Sequence, residues 1–270
     1  MAELRVNRAK SKLQEGKPII GVGQVNDGDM IELLGSVGTV DLINFDMEHG
    51  PTSWAQLRDV SRICDLWGMT PQVRVNNNDP WLIGRALDQG ALSVMIPHVN
   101  TMEDAERAVR GAKYAPLGLR GMGRPRQGLG VSNYYTKAND QTMVVAMIED
   151  IEAVKNLKEI LTVDHIDVFL VAPNDLSQSM GAKYLPGQYG TQQNQDVQRV
   201  VDGAIKQIVA AGRVAATLVN DGNVEHFLDL GVRFLNMGDP SGYIASGLKG
   251  FHDKVVAKMT PTATRSPGAR

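Results

Sequence analysis

Eight short runs of apolar and β-branched residues recur along this chain, each divided from the next by a segment of helical period. That alternation restricts the fold more than any single motif does. The runs lie near 19–24, 42–46, 71–75, 93–97, 143–148, 166–171, 214–218 and 233–237. Between them, Ser53 to Trp67, Pro80 to Gln89, Thr101 to Tyr114, Asp196 to Ala211 and Asn220 to Leu230 read as amphipathic helices. Gly68, Gly90, Gly212 and Gly231 stand where such helices close in the left-handed conformation that glycine adopts without a Cβ clash. With 270 residues and 43% hydrophobic composition, the chain can build one large α/β barrel or two small domains. Eight β-then-α units without a composition break predict a single (β/α)8 TIM barrel over residues 1–259, although a doubly wound sheet with extra strands fits the same rhythm. Residues 260–270, rich in Thr, Pro and Arg, read as a flexible C-terminal tail.

A net charge of −2 without a long run of one sign gives no support to nucleic-acid binding. No stretch reaches the roughly 18 apolar residues of a membrane span, and the N-terminus lacks a signal-peptide core. Cys64 is the one cysteine, so no internal disulfide forms. A cytoplasmic protein without a membrane partner is expected.

Catalytic groups of a (β/α)8 barrel come from the C-terminal ends of the strands, and that rule can be applied to the sequence. The second strand ends in Asp46, Glu48 and His49, the third in Arg74, the fifth in Glu149 and Asp150, and the sixth runs through Ala172 and Pro173 to Asn174 and Asp175. An imidazole with a carboxylate three residues before it can be a general base with an orienting partner. Glu149 and Asp175 suit a hard divalent cation, Mg²⁺ or Mn²⁺, better than zinc. Plainer readings stand beside these: Asp175 as a helix cap, Glu149 at a helix N-terminus, and Arg74 in a structural salt bridge. His98, His165, His226 and His252 are scattered and read as surface or structural. No strand carries the lysine of a Schiff-base enzyme, and Cys64 falls on a helix as a buried thiol. Two long loops follow, 118–139 and 176–194; in the first, Arg120, Arg124 and Arg126 either hold an anionic substrate tail or form a solvated basic loop.

From about Gly21 to Lys258 the chain resembles the HpcH/HpaI class II pyruvate aldolases. The resemblance is carried by Phe45-Asp46-Met47-Glu48-His49-Gly50-Pro51, Val73-Arg74-Val75 with Asn78-Asp79-Pro80, and Gly118-Leu119-Arg120-Gly121-Met122-Gly123. Lys137-Ala138-Asn139-Asp140, Ile148-Glu149 and Ala172-Pro173-Asn174-Asp175-Leu176-Ser177 complete it. It implies a metal-dependent barrel that cleaves a 4-hydroxy-2-oxo acid into pyruvate and an aldehyde. Glu149 and Asp175 would be the metal ligands, for Mg²⁺ or Mn²⁺ with Co²⁺ also admitted. His49 paired with Asp46 would be the base, Arg74 would hold the 2-oxo oxygen, and the backbone of Ala172, Pro173, Asn174 and Asp175 would bind the carboxylate. Glu48 would brace the site, and Asp88 would reach a neighbouring subunit. The implied assembly is a homohexamer, a trimer of dimers, exchanging C-terminal helices that begin near Ser241. Two departures from the family pattern, Met147 in place of the usual glutamine and Met47 after the motif aspartate, imply a shifted substrate range. Oxaloacetate decarboxylation, a citrate-synthase-like condensation and a catalytically silent metabolite-binding barrel are the rival expectations.

Overall fold

The computed structural model describes residues 2–186 and 194–259. Eight parallel strands close into a barrel in sequential order: β1 Ile19–Gly23, β2 Leu42–Asp46, β3 Thr70–Arg74, β4 Ser93–Ile96, β5 Met143–Ile148, β6 Val168–Val171, β7 Ala215–Leu218 and β8 Phe234–Asn236. All eight expected runs are strands, with ends displaced by at most two residues. Closure pairs Ile19 with Phe234 and Gly21 with Asn236, and no doubly wound order remains. The helices between them form for local reasons. Ser53 and Thr101 each cap a helix with reciprocal bonds to Gln56 and Asp104, and Pro80 opens the helix Pro80–Gln89 at the position where its missing N–H costs nothing.

Three segments differ from expectation. The helix expected from Asn220 starts only at Val224, because Asn220-Asp221-Gly222-Asn223 folds back on itself, with Asn220 N–H donating to Asn223 Oδ1 at 2.7 Å and Gly222 N–H to Asn220 Oδ1 at 2.8 Å. The 118–139 loop contains a short turn at Arg126–Gly128 and the start of a helix, Tyr134–Gln141, where Tyr114, Tyr134 and Tyr135 pack edge to face. An unforeseen helix, Arg8–Gln14, buries Ala9 and Leu13 against the bottom of the barrel interior. Lys10 Nζ anchors it to Thr142 O and Asp167 Oδ1, both at 2.9 Å.

Strand residues alternate between the helix layer and the barrel interior. Outward residues such as Ile43, Phe45, Val73, Val144, Ile148 and Phe169 join the large core under the helices. Inward residues divide into two walls. On β2, β3 and the start of β4, Gln72 Nε2 donates to Asn44 Oδ1 at 3.1 Å, and Ser93 Oγ donates to Gln72 Oε1 at 2.7 Å. From β5 round to β8 the inward residues Met143, Val145, Met147, Val168, Leu170, Ala172, Ala216 and Phe234 form most of an apolar cluster that also takes in Ile19, Leu42 and Met95. The chain divides into two compact units, one ending at Gly238 and the other beginning at Asp239. Taken by itself, the second contains the helix Ser241–Met259. The expected tail, 260–270, and part of the 176–194 loop lie outside the described residues.

Candidate active site

Asp46, the last residue of β2, is 1% exposed and stands level with Arg74 at the end of β3. The guanidinium grips it through both oxygens, Nε to Oδ1 at 2.9 Å and Nη2 to Oδ2 at 2.6 Å, in the bidentate geometry that arginine forms best. Gln24 Nε2 donates to Oδ2 at 2.7 Å, and the amides of Glu48 and His49 donate to Oδ1 at 3.0 and 3.3 Å. Burial alone would raise the pKa of Asp46. Arg74, by hydrogen bond and charge, and the two amides outweigh it, so the net shift is downward.

These contacts correct the expected pairing of Asp46 with the His49 imidazole. Both carboxylate oxygens are taken by Arg74, Gln24 and the 48–49 amides, so Asp46 shapes the turn that carries His49 and leaves the ring alone. The ring lies at the exposed rim, with Nε2 3.9 Å from Oε2 of Glu48. Arg74 Nη1 meets the same Glu48 oxygen at 3.1 Å. Salt bridge and mouth position are therefore both true of Arg74.

Glu149 follows β5 and is 2% exposed. Burial raises its pKa to about 7; the amide and ring of His98 work against the shift, while the charges of Asp175 and Glu48 add to it. Asp175 is no helix cap. The helix Pro173–Met180 starts earlier, Ala172 takes the cap position, and Asp175 stands in the first turn. Glu149 precedes Asp150, the cap residue of Ile151–Lys155. Thus β5 and β6 bring Glu149 and Asp175 to the same mouth as the 46–49 turn and Arg74.

Two participants were missed from sequence. His98, read as surface or structural, lies between Glu149 and Glu48: its amide donates to Glu149 Oε1 at 2.7 Å, and its Nδ1 is 2.9 Å from Asp150 Oδ2. Burial lowers its pKa, but Asp150, Glu149 and Glu48 prevail and raise it. Gln24 is the second. Both lie within two residues of a strand end, so the filter that selected His49 and placed Asp150 at the end of the fifth strand would have selected them too. Gln24 and His98 also hold left-handed backbones, φ 59° and 50°, as Asn133 and His165 do elsewhere in the chain.

The arginines of the 118–139 loop divide: Arg124 is exposed, and the other two are not. Arg120 and Arg126 are buried in ion pairs with Asp88 and Asp65, both at 2.7 Å, and neither is solvated. Within its own chain, Asp88 is thus engaged by Arg120. Met147 lies in the apolar interior wall two residues before Glu149, whereas Met47 packs into the outer core. Among the described residues no helix is long and apolar enough to cross a membrane.

Relatives of the chain share its fold and most of its length. A 4-hydroxy-2-oxo-heptane-1,7-dioate aldolase of Klebsiella pneumoniae is 33% identical over 264 residues, 96% of each chain. The crystal structure of an HpcH/HpaI aldolase/citrate lyase family protein from Burkholderia cenocepacia superposes with a TM-score of 0.82 at 25% identity, covering 93% of this chain and 99% of the other. The citrate synthase SbnG gives 0.77 at 28% identity, covering 92% and 97%. The family described as HpcH/HpaI aldolase/citrate lyase matches residues 24–244, the whole stretch that carries the strand-end residues above. With its closed barrel and its mouth of strand-end carboxylates, the chain belongs to the HpcH/HpaI family and is a carbon–carbon lyase.

Proposed function

We propose that the chain is a metal-dependent aldolase that reversibly cleaves a 4-hydroxy-2-oxo acid into pyruvate, or a related 2-oxo acid, and an aldehyde. The charge arrangement around Glu149 carries this reading. A carboxylate that is 2% exposed and further destabilised by Asp175 and Glu48 is relieved by a cation. Glu149 and Asp175 would hold it, and oxygen donors suit Mg²⁺ or Mn²⁺, with Co²⁺ a further fit. Two protein carboxylates would leave the remaining positions of such a cation to water and substrate. Bound there, a divalent cation supplies Lewis-acid polarisation of the 2-oxo group.

The chain's own groups do the rest. Arg74 has five N–H donors and uses three on Asp46 and Glu48, so N–H groups remain for the oxo oxygen, where negative charge grows as the enolate forms. The start of the helix Pro173–Met180, with Ala172, Pro173, Asn174 and Asp175, receives the substrate carboxylate at the positive end of the helix dipole. His49 removes the 4-hydroxyl proton, and Asp46 and Glu48 set the turn from which it works. His49→Ala should lower aldol cleavage by about 10²- to 10⁴-fold while calorimetry still records metal binding. Full turnover in that variant would overturn the assignment.

The likeness to SbnG, a citrate synthase, favours a second reading in which the same enolate is used for condensation. Oxaloacetate decarboxylation needs the same enolate. Metal-loaded protein incubated with oxaloacetate alone, and with pyruvate plus an aldehyde, separates the three by product.

The same reading includes a cytoplasmic homohexamer, a trimer of dimers with exchanged C-terminal helices. Its support is the helix Ser241–Met259, on which Ile244, Leu248, Phe251 and Val255 form an exposed apolar stripe at helical spacing. Light scattering should give six chains; a monomer at micromolar concentration refutes the exchange.

A further inference from the structure

We infer that His98 is the positioning residue of the cation site, holding Glu149 so that one carboxylate oxygen is taken and the other is left for the metal. The inference rests on the metal-dependent reading above. Glu149 is 2% exposed, and among the described residues the one hydrogen bond to its carboxylate comes from the His98 amide, at 2.7 Å to Oε1. Oε2 is then the oxygen free to meet a cation. A ligating carboxylate that is itself hydrogen-bonded is held in the orientation its metal needs.

The ring aims the amide. With φ at 50°, His98 holds a left-handed backbone that is unfavourable for a residue with a Cβ, so something must keep it there. The loop is pinned just after it: Val99 N–H donates to Met147 O at 3.3 Å, and the amides of Asn100 and Thr101 donate to Asp104 Oδ2 at 3.2 and 3.0 Å. At His98 itself the anchor is Asp150. Ring Nδ1 lies 2.9 Å from Asp150 Oδ2, nearer than the 3.5 Å to Glu149 Oε1, and a carboxylate can only accept. Nε2 stands 4.0 Å from Glu48 Oε1, too far for a hydrogen bond. Asp150 opens the helix Ile151–Lys155 without a side-chain bond to it, which leaves its carboxylate to the ring. Asp150 therefore acts on Glu149 through the ring and the main chain of His98.

The test adds Mn²⁺ stepwise to chelator-treated full-length protein without substrate, and reads binding by calorimetry and by the electron paramagnetic resonance signal of the ion. His98→Ala and Asp150→Ala should each raise the Mn²⁺ Kd by about 10- to 100-fold. The double variant should lose no more than the weaker-binding single one, because both residues act through one chain of contacts. Saturating Mn²⁺ should restore kcat in His98→Ala, since the ring positions a ligand and does not touch substrate. His165→Ala is the control: His165 holds the same left-handed backbone, φ 65°, ahead of β6 at the end of the barrel away from the mouth, and its loss should leave the Kd unchanged. An unchanged Kd in His98→Ala, additive losses in the double variant, an equal loss in His165→Ala, or a kcat that saturating Mn²⁺ does not restore overturns the inference. The wild-type protein distinguishes the two levels of failure. Mn²⁺ binding that is indifferent to His98 overturns the positioning role alone, and absence of Mn²⁺ binding overturns the metal-dependent reading and this inference with it.

Discussion

Inside the barrel, the wall formed by β2 and β3 and the wall running from β5 to β8 bury a carboxylate in opposite ways. Asp46 and Glu149 are 1% and 2% exposed, and burial penalises the charged form of both. On the polar wall Asp46 meets a guanidinium, an amide side chain and two backbone N–H groups, and its pKa falls. On the apolar wall Glu149 rises above Met147, with further carboxylates nearby, and its pKa climbs to about 7. Where partners outweigh burial the pKa falls, and where they do not it rises. The polar wall is complete within the chain; the apolar wall carries a charge that calls for something from outside.

Breaking the polar wall should have the largest effect. Arg74→Met leaves Asp46 buried without its ion-pair partner, and loss of one member of a buried pair costs about 3–5 kcal/mol. Urea unfolding measures this directly. A loss under about 1 kcal/mol would mean that Gln24 and the 48–49 amides hold Asp46 unaided, and the contrast between the walls would shrink to hydrogen bonding.

The apolar wall is tested by pH. Because Glu149 keeps its proton up to about 7 in the folded chain against 4.5 ordinarily, its contribution is fully present below about 4.5 and is lost as pH rises toward and through 7. Chelator-treated protein should therefore lose stability over that window, by at most about 1.4 kcal/mol per pH unit for one proton, and Glu149→Gln should remove this decline. Asp46 has the reverse sign. Its lowered pKa gives stability that is present above 3.8 and lost as pH falls through the folded value, and Asp46→Asn should abolish that acid loss at a cost at neutral pH. Identical pH profiles for the two variants would refute the distinction between the walls.

How far the sequence revealed this arrangement depends on the range of the interaction. Strands such as Leu42–Asp46 and Met143–Ile148 were legible because burial on both faces imposes a continuous apolar run, and the mouth was legible because topology alone sends strand ends there. Asp46 and Arg74 were both named, yet their pairing was not, since it depends on the register that sets Asp46 level with Arg74 across two strands. His98 carried the same positional signal as His49 but lacked a motif, and it was set aside. Arg8–Gln14 escaped because its buried side is only Ala9, Leu13 and the stem of Lys10, too short a pattern to register as a helix. Arg120 and Arg126 looked solvated because Asp88 and Asp65, 32 and 61 residues away in the chain, cannot be matched to them by spacing.

The smallest expected effect tests whether the polar wall is one network or a set of separate pairs. Gln72 is fully buried and joins Asn44 to Ser93, beneath Asp46 and Arg74. Gln72→Leu would leave Asn44 Oδ1 and Ser93 Oγ without these partners, a cost of about 1–3 kcal/mol, offset in part by the apolar surface that leucine buries. If the wall is a connected network, the double variant Gln72→Leu with Arg74→Met should cost less than the sum of the single changes, because the first already loosens the strands that hold the second. Strict additivity would show that register alone places Asp46 against Arg74. The ladder below would then only fill the barrel, and the polar wall would owe its low carboxylate pKa to the single pair at its rim.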